Sequence, residues 1–202
     1  MALRILSLGD SYTIGEGVAE AGRWPMQLAA RLRNRGIPCA DPLIIARTGW
    51  TTDELDAAIT QACPIGLFDL VTLLIGVNNQ YRGRSLEEYR EQFRALLERA
   101  IAFARSRPER VLVLSIPDWG VTPFAEGRDR GKIAAEIDAF NAVKHAQALA
   151  AGARYVDITP STRDLSEPGF LAEDGLHPSG LLYKRWVDLA LPTVLQSLDG
   201  NP

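Results

Sequence analysis

The sequence predicts an α/β protein built on a parallel sheet with helices on both faces. Five short apolar runs alternate with amphipathic stretches along the 202 residues, and no internal repeat, low-complexity segment or linker interrupts them. Alternation of this kind is how strand–helix–strand units are written in sequence. The whole chain, 1–202, is expected to form one domain, since domains run to roughly 100–200 residues.

The elements follow in order. Residues 3–8 are a short buried strand. Residues 24–35 are a helix, with Trp24, Leu28 and Leu32 at helical spacing. Residues 42–46, containing Leu43-Ile44-Ile45, are the second strand, and 52–62 the second helix. Residues 69–75 form the central strand. Residues 85–105 form a long helix, opened by Ser85-Leu-Glu-Glu88 in capping-box spacing. A fourth strand spans 111–116. The helix over 132–151 ends at Gly152, a good C-terminal cap. A fifth strand spans 154–158, and a last helix 179–197 carries Leu182, Trp186 and Leu189. The longest irregular stretches are 117–131 and 159–178.

Composition narrows the function. Lys plus Arg is 22 and Asp plus Glu 25, a net charge of −3, which argues against a nucleic-acid partner because that demands a basic face. Hydrophobic content of 47% and charged content of 23% are those of an ordinary globule. Cys39 and Cys63 form no C-x-x-C and read as reduced thiols, and neither histidine lies near them, so no metal site is expected. The N-terminal apolar run is too short for a secretory signal, and no stretch reaches the roughly 18 apolar residues of a membrane span. The expected location is therefore cytoplasmic, with secretion the alternative if a leader has been removed. No feature specifies an oligomer or a cofactor.

In a parallel α/β sheet the ligand crevice lies beyond the carboxyl ends of the strands. Ser11 follows the first strand directly, in Gly9-Asp10-Ser11-Tyr12-Thr13. Alone, such a serine is usually a turn residue or helix cap. His177 changes its weight. Pro178 restricts His177 to extended backbone, and Asp174 lies three residues earlier across a glycine, where a short turn brings its carboxylate to Nδ1. That pairing leaves Nε2 to take a hydroxyl proton. The plainer alternative is a solvated loop histidine beside a capping aspartate. The other histidine, His145, falls mid-helix. Gly49, after the second strand, and the Asn78 amide, after the third, are candidate donors to an oxyanion, although turn glycine and Asx-turn are the ordinary readings of each.

Together, Gly9-Asp10-Ser11, Gly49, Gly76-x-Asn78 and Asp174-x-x-His177 resemble the four blocks of the SGNH hydrolases, the GDSL esterase and lipase family, in the family's order. The resemblance implies a flavodoxin-like three-layer α/β/α fold with a five-stranded parallel sheet, and a serine hydrolase of small carboxylic esters. It implies Ser11 as nucleophile, His177 as base and Asp174 as its orienting partner. The implied oxyanion hole is Ser11 N–H, Gly49 N–H and the Asn78 side chain, and Asp10 is implied to be a structural anchor. Tyr12 stands where the family name has Leu, and Asn79 where Asp often stands.

Tyr12, Trp50, Asn79 and Trp119 are candidate pocket residues, and residues 117–124 are expected to shape the pocket. Arg82 and Arg84 are candidates to meet an anionic group, against the plainer reading of solvated loop arginines. Rival readings are weaker. The α/β-hydrolase elbow G-x-S-x-G is not present at Ser11, the spacing of Gly15, Gly17 and Gly22 does not make a dinucleotide fingerprint, and no Walker A lysine or pair of glycosidase carboxylates stands out. A lysophospholipase or thioesterase of the same family, and an inactive binding protein on the same fold, stay open.

Overall fold

The structure is a computed structural model that describes residues 2–165 and 167–199. Strands β1 (Ile5–Gly9), β2 (Leu43–Ala46), β3 (Leu70–Leu74), β4 (Val111–Leu114) and β5 (Arg154–Val156) form one sheet in the order β2-β1-β3-β4-β5. All pairings are parallel, with Leu6 of β1 beside Leu43 on one side and Val71 on the other. Every residue of β1, β3 and β4 is buried, as strands covered on both faces must be, while the edge strands β2 and β5 are partly exposed. Ser7 and Thr72 are polar residues inside this core, and they satisfy each other through a 3.0 Å hydroxyl hydrogen bond.

Among the described residues, eight α-helices connect and cover the strands: α1 (Ser11–Ile14), α2 (Trp24–Arg33), α3 (Thr52–Ala62), α4 (Val77–Tyr81), α5 (Leu86–Phe103), α6 (Arg130–Ala150), α7 (Thr159–Arg163) and α8 (Gly180–Asp199). α2 packs with α8, whereas α5 packs with α3 and α6, giving the two outer layers of an α/β/α sandwich. From β1 the chain leads to β2 at one edge, and from β3 it leads toward β4 on the other side. The chain therefore diverges between β1 and β3, and a crevice opens at their carboxyl ends. None of the helices is long and apolar enough to cross a membrane, among the described residues.

Several boundaries differ from expectation for local reasons. The first strand begins two residues late, because Leu3 pairs with Cys39 in a separate bridge. Ser85 caps α5 by accepting from Glu88 N–H, but the reciprocal half of the capping box does not form. The Glu88 carboxylate is taken instead by Arg84 and Gln92. α6 starts at Arg130, capped by Asp129, which accepts from Lys132 N–H. The stretches expected to be irregular hold α7 and two 3₁₀ turns, Trp119–Val121 and Pro123–Ala125. Pro160 at the start of α7 suits a first helical turn, where its missing N–H is not needed. His145 is exposed on α6, stacked against Tyr155, and both cysteines are free thiols.

Candidate active site

β1 ends at Gly9, and the chain turns at once into the single turn α1. A Cβ at Gly9 would collide with the Thr13 side chain and lie 2.5 Å from the Leu74 carbonyl oxygen, so this crossing requires glycine. Asp10 caps α1, its Oδ1 accepting from Tyr12 N–H at 3.0 Å. Ser11 follows, with only its edge reaching the surface. Its N–H donates to no other group among the described residues, and the same holds for Gly49.

Gly49 adopts φ +87°, a left-handed backbone that favours glycine, and lines the crevice. Two residues one turn apart, Asn78 on α4 and Arg82 at its C-terminal cap, secure this loop. Asn78 Nδ2 donates to the Trp50 carbonyl at 2.9 Å, and Arg82 Nη2 donates to the Gly49 carbonyl at 2.6 Å. One amide hydrogen of Asn78 is thus used to orient the side chain, and the other is left to point at a ligand. α4 itself begins after Gly76, at φ +125°, where a Cβ would sit 2.7 Å from the Tyr89 ring.

On the opposite wall, the segment before α8 folds back as a narrow loop. Ala172 N–H donates to the His177 carbonyl at 2.8 Å, and Ser179 N–H to the Phe170 carbonyl at 2.8 Å. At its tip Asp174 divides its two oxygens. Oδ1 accepts from Leu176 N–H and His177 N–H, each at 2.9 Å, while Oδ2 lies 2.6 Å from His177 Nδ1. Partial burial raises the Asp174 pKa, but the bonds from the imidazole and the two backbone N–H groups outweigh it and hold the carboxyl below its usual range. Asp174 is therefore an anion near neutrality, fixing His177 with Nδ1 protonated and Nε2 free. The His177 ring rests against Tyr12, at 5.4 Å between centroids, and Tyr12 in turn against Trp186. Burial holds the Tyr12 phenol far above its ordinary pKa, so it packs as a neutral ring.

These pieces meet in one cavity of about 160 Å³, lined by Ser11, Tyr12, Thr48, Gly49, Val77, Asn78, Tyr81, Trp119, Phe124, Leu176 and His177. Ser11 Oγ and His177 face this space without a direct hydrogen bond among the described residues, and such contacts commonly tighten only when substrate is bound. Asp10, next to Ser11, and Lys144 are both buried and feel each other's charge. Burial pushes Asp10 up to about 7, opposed by the Tyr12 N–H bond and by the Lys144 charge. Burial pushes Lys144 down to about 7, opposed by Asp10. Lys144 donates to the Leu114 carbonyl at 2.8 Å.

Two expected pocket residues lie elsewhere. Asn79 is fully buried, its Oδ1 accepting from Thr52 N–H and its Nδ2 donating to Thr52 Oγ1, so it ties α4 to the start of α3. Trp50 contributes its carbonyl to Asn78, while its half-buried ring packs against the core outside the cavity. Arg82 and Arg84 are also occupied, Arg82 by Glu54 and Gly49, Arg84 by Asp53 and Glu88. Tyr12 and Trp119 do line the cavity, Trp119 with its Nε1 bonded to Gln80 Oε1 at 2.8 Å. Phe124 falls in the 117–124 segment expected to shape the pocket, whereas Thr48, Val77, Tyr81 and Leu176 were not among the named pocket candidates. Tyr81 had one available signal, since it stands three residues after Asn78 and shares its face once the segment is helical.

The fold is an α/β/α sandwich on a five-stranded parallel sheet, with a serine after β1 and an Asp-His pair before the last helix. The chain belongs to the GDSL-like Lipase/Acylhydrolase family, whose sequence pattern matches residues 7–185, and it is a carboxylic ester hydrolase by that membership. A search of curated proteins found no match. Solved structures share the fold along nearly the whole chain. The lipase/acylhydrolase from Enterococcus faecalis superposes with a TM-score of 0.72 at 20% identity, covering 100% of both chains. TesA gives 0.71 at 22% identity, covering 96% of this chain and 99% of its own. Axe2, an acetylxylan esterase from Geobacillus stearothermophilus, gives 0.70 at 18%, covering 98% and 95%.

Proposed function

We propose that the protein hydrolyses small carboxylic esters through an acyl-enzyme on Ser11. The observation that carries this reading is the 2.6 Å Asp174–His177 pair, whose histidine lines the same cavity as Ser11, together with the Asn78 amide and the Ser11 and Gly49 N–H groups, unpaired among the described residues. Ser11 Oγ attacks the ester carbonyl carbon while His177 Nε2 takes its proton. The carbonyl oxygen becomes an oxyanion held by Ser11 N–H, Gly49 N–H and Asn78 Nδ2. His177 returns the proton to the leaving alcohol oxygen as the carbon–oxygen bond breaks. Water then repeats the sequence on the acyl-serine, giving the acid and free Ser11. Asp174 stays ionised throughout and stabilises the imidazolium formed in each half.

The cavity supports short acyl or O-acetyl groups, being small and walled by Val77, Leu176 and aromatic rings. Likeness to an acetylxylan esterase points the same way. The test is a panel of 4-nitrophenyl esters of increasing acyl length, with acetylated sugars beside it, together with fluorophosphonate labelling. Activity should be highest for the shortest acyl groups, and Ser11→Ala should lose both turnover and label. Parent-rate hydrolysis by Ser11→Ala would remove Ser11 as nucleophile.

A further inference from the structure

The outer wall of the cavity is a cluster of three rings. Trp119 lies 5.3 Å from Tyr81 and 6.0 Å from Phe124, and Tyr81 lies 6.3 Å from Phe124. Tyr81 and Phe124 are 45% and 42% exposed, so this wall reaches the rim. Over it sits Arg128, an exposed residue just before α6. Its guanidinium carbon is 5.2 Å from the Tyr81 centroid, 5.3 Å from Trp119 and 5.6 Å from Phe124, and Nη2 donates to Tyr81 Oη at 3.2 Å.

The arginines around the crevice have their charges met in different ways, Arg130 for instance donating to the Gly120 and Thr122 carbonyls. Arg82, Arg84 and Arg163 each pair with one or two carboxylates. Arg128 pairs with none among the described residues, and the nearby Asp129 is engaged as the cap of α6. Ring faces attract a guanidinium by cation–π interaction without using up its N–H donors. A planar fork that spends one donor on Tyr81 Oη and keeps the others available is suited to a carboxylate or phosphate, which it can meet through two parallel charge-assisted bonds.

We propose that Arg128 is a specificity-determining residue, and that the enzyme prefers esters that carry an anionic group beyond the apolar segment lying against Tyr81, Trp119 and Phe124. The inference rests on the esterase reading of Ser11 and names a substrate class for that site. A carboxylate and a phosphate present the same chemistry to Arg128, and the anion sits on either the acyl or the alcohol side of the ester.

The experiment compares kcat/KM within matched pairs. 4-Nitrophenyl valerate against mono-4-nitrophenyl glutarate tests a carboxylate on the acyl side. Methyl 4-acetoxybenzoate against 4-acetoxybenzoate, and phenyl acetate against 4-acetoxyphenyl phosphate, test carboxylate and phosphate on the alcohol side. In the wild type at least one anionic member should exceed its neutral partner by about tenfold, chiefly through KM. In Arg128→Gln that ratio should fall by about tenfold, in Arg128→Lys by less, and in Arg128→Glu it should invert. Raised salt should erode the wild-type ratio. A ratio unchanged in Arg128→Gln, or equal loss on both members of every pair, overturns the inference while leaving the esterase reading in place. Failure to hydrolyse any ester, with no fluorophosphonate label on Ser11, overturns both.

Discussion

Replacing Asp174 by asparagine separates two duties that one carboxylate performs. Oδ1 holds the backbone N–H groups of Leu176 and His177, and Oδ2 holds Nδ1 of the ring. An asparagine has one acceptor and one donor for these places. If its oxygen keeps the two backbone bonds, its NH₂ group faces Nδ1, and the imidazole must carry its proton on Nε2, where it cannot accept from Ser11. If the amide turns over, the ring keeps the useful tautomer but two backbone N–H groups lose their acceptor, at about 1 kcal/mol or more each. The useful arrangement is then disfavoured by about 2–3 kcal/mol, roughly 30- to 150-fold. Loss of the anion also removes a charge-assisted bond to the developing imidazolium, about 1.5–3 kcal/mol and at the lower end here because the Asp174 side chain is 41% exposed. The product is a fall in kcat of about 10³. Stability should change little, since the favoured arrangement keeps both backbone bonds. Asp174→Ala should lose them as well and melt a few degrees lower. Turnover of 4-nitrophenyl acetate and the rate of fluorophosphonate labelling measure the first effect, thermal denaturation the second. Asp174→Asn with kcat within about threefold of wild type would refute the orienting role.

Asn78→Ala should lower kcat by about 10²–10³, as loss of one oxyanion donor does, with little change in KM; a change confined to KM would place Asn78 in ground-state binding. Gly76→Ala should destabilise by several kcal/mol, because the residue sits at φ +125° and the new Cβ meets the buried Tyr89 ring at 2.7 Å; denaturant unfolding reads this, and a midpoint like the wild type would contradict it. The Asp10 pKa is raised in the folded state, so its contribution to stability is present in full below about pH 4 and is lost as pH rises toward 7. The Lys144 pKa is lowered, so stability from that group rises again between about 7 and 10.5. The free-energy difference between wild type and Asp10→Asn should therefore change by a few kcal/mol, on the order of 1 per pH unit, between pH 4 and 7. A pH-independent difference would contradict the coupling.

Strand and helix order could be read along the chain because burial on both faces forces apolar runs such as Val111–Leu114, and a run of that kind is local information. The two site segments were legible for the same reason, since Ser11 abuts a strand end, and Asp174 and His177 are close enough in sequence for a single turn to join them. α4 was not legible: Gly76-Val-Asn-Asn reads as a turn, and only packing beneath Tyr89 and the bonds to the Trp50 and Gly49 carbonyls make it a helix.

That helix then separates Asn78 from Asn79. Adjacent residues on a helix point about 100° apart, so one asparagine enters the cavity and the other is consumed by Thr52. Nothing in the pair of letters distinguishes them. The same holds for the aromatic wall, whose rings come from residues 81, 119 and 124 and meet only because α4 and the loop after β4 converge. Periodicity and neighbouring residues set the elements and the Asp–His turn. Which side chains face the crevice was decided by contacts between segments distant in the chain, where the geometry depends on how the layers pack.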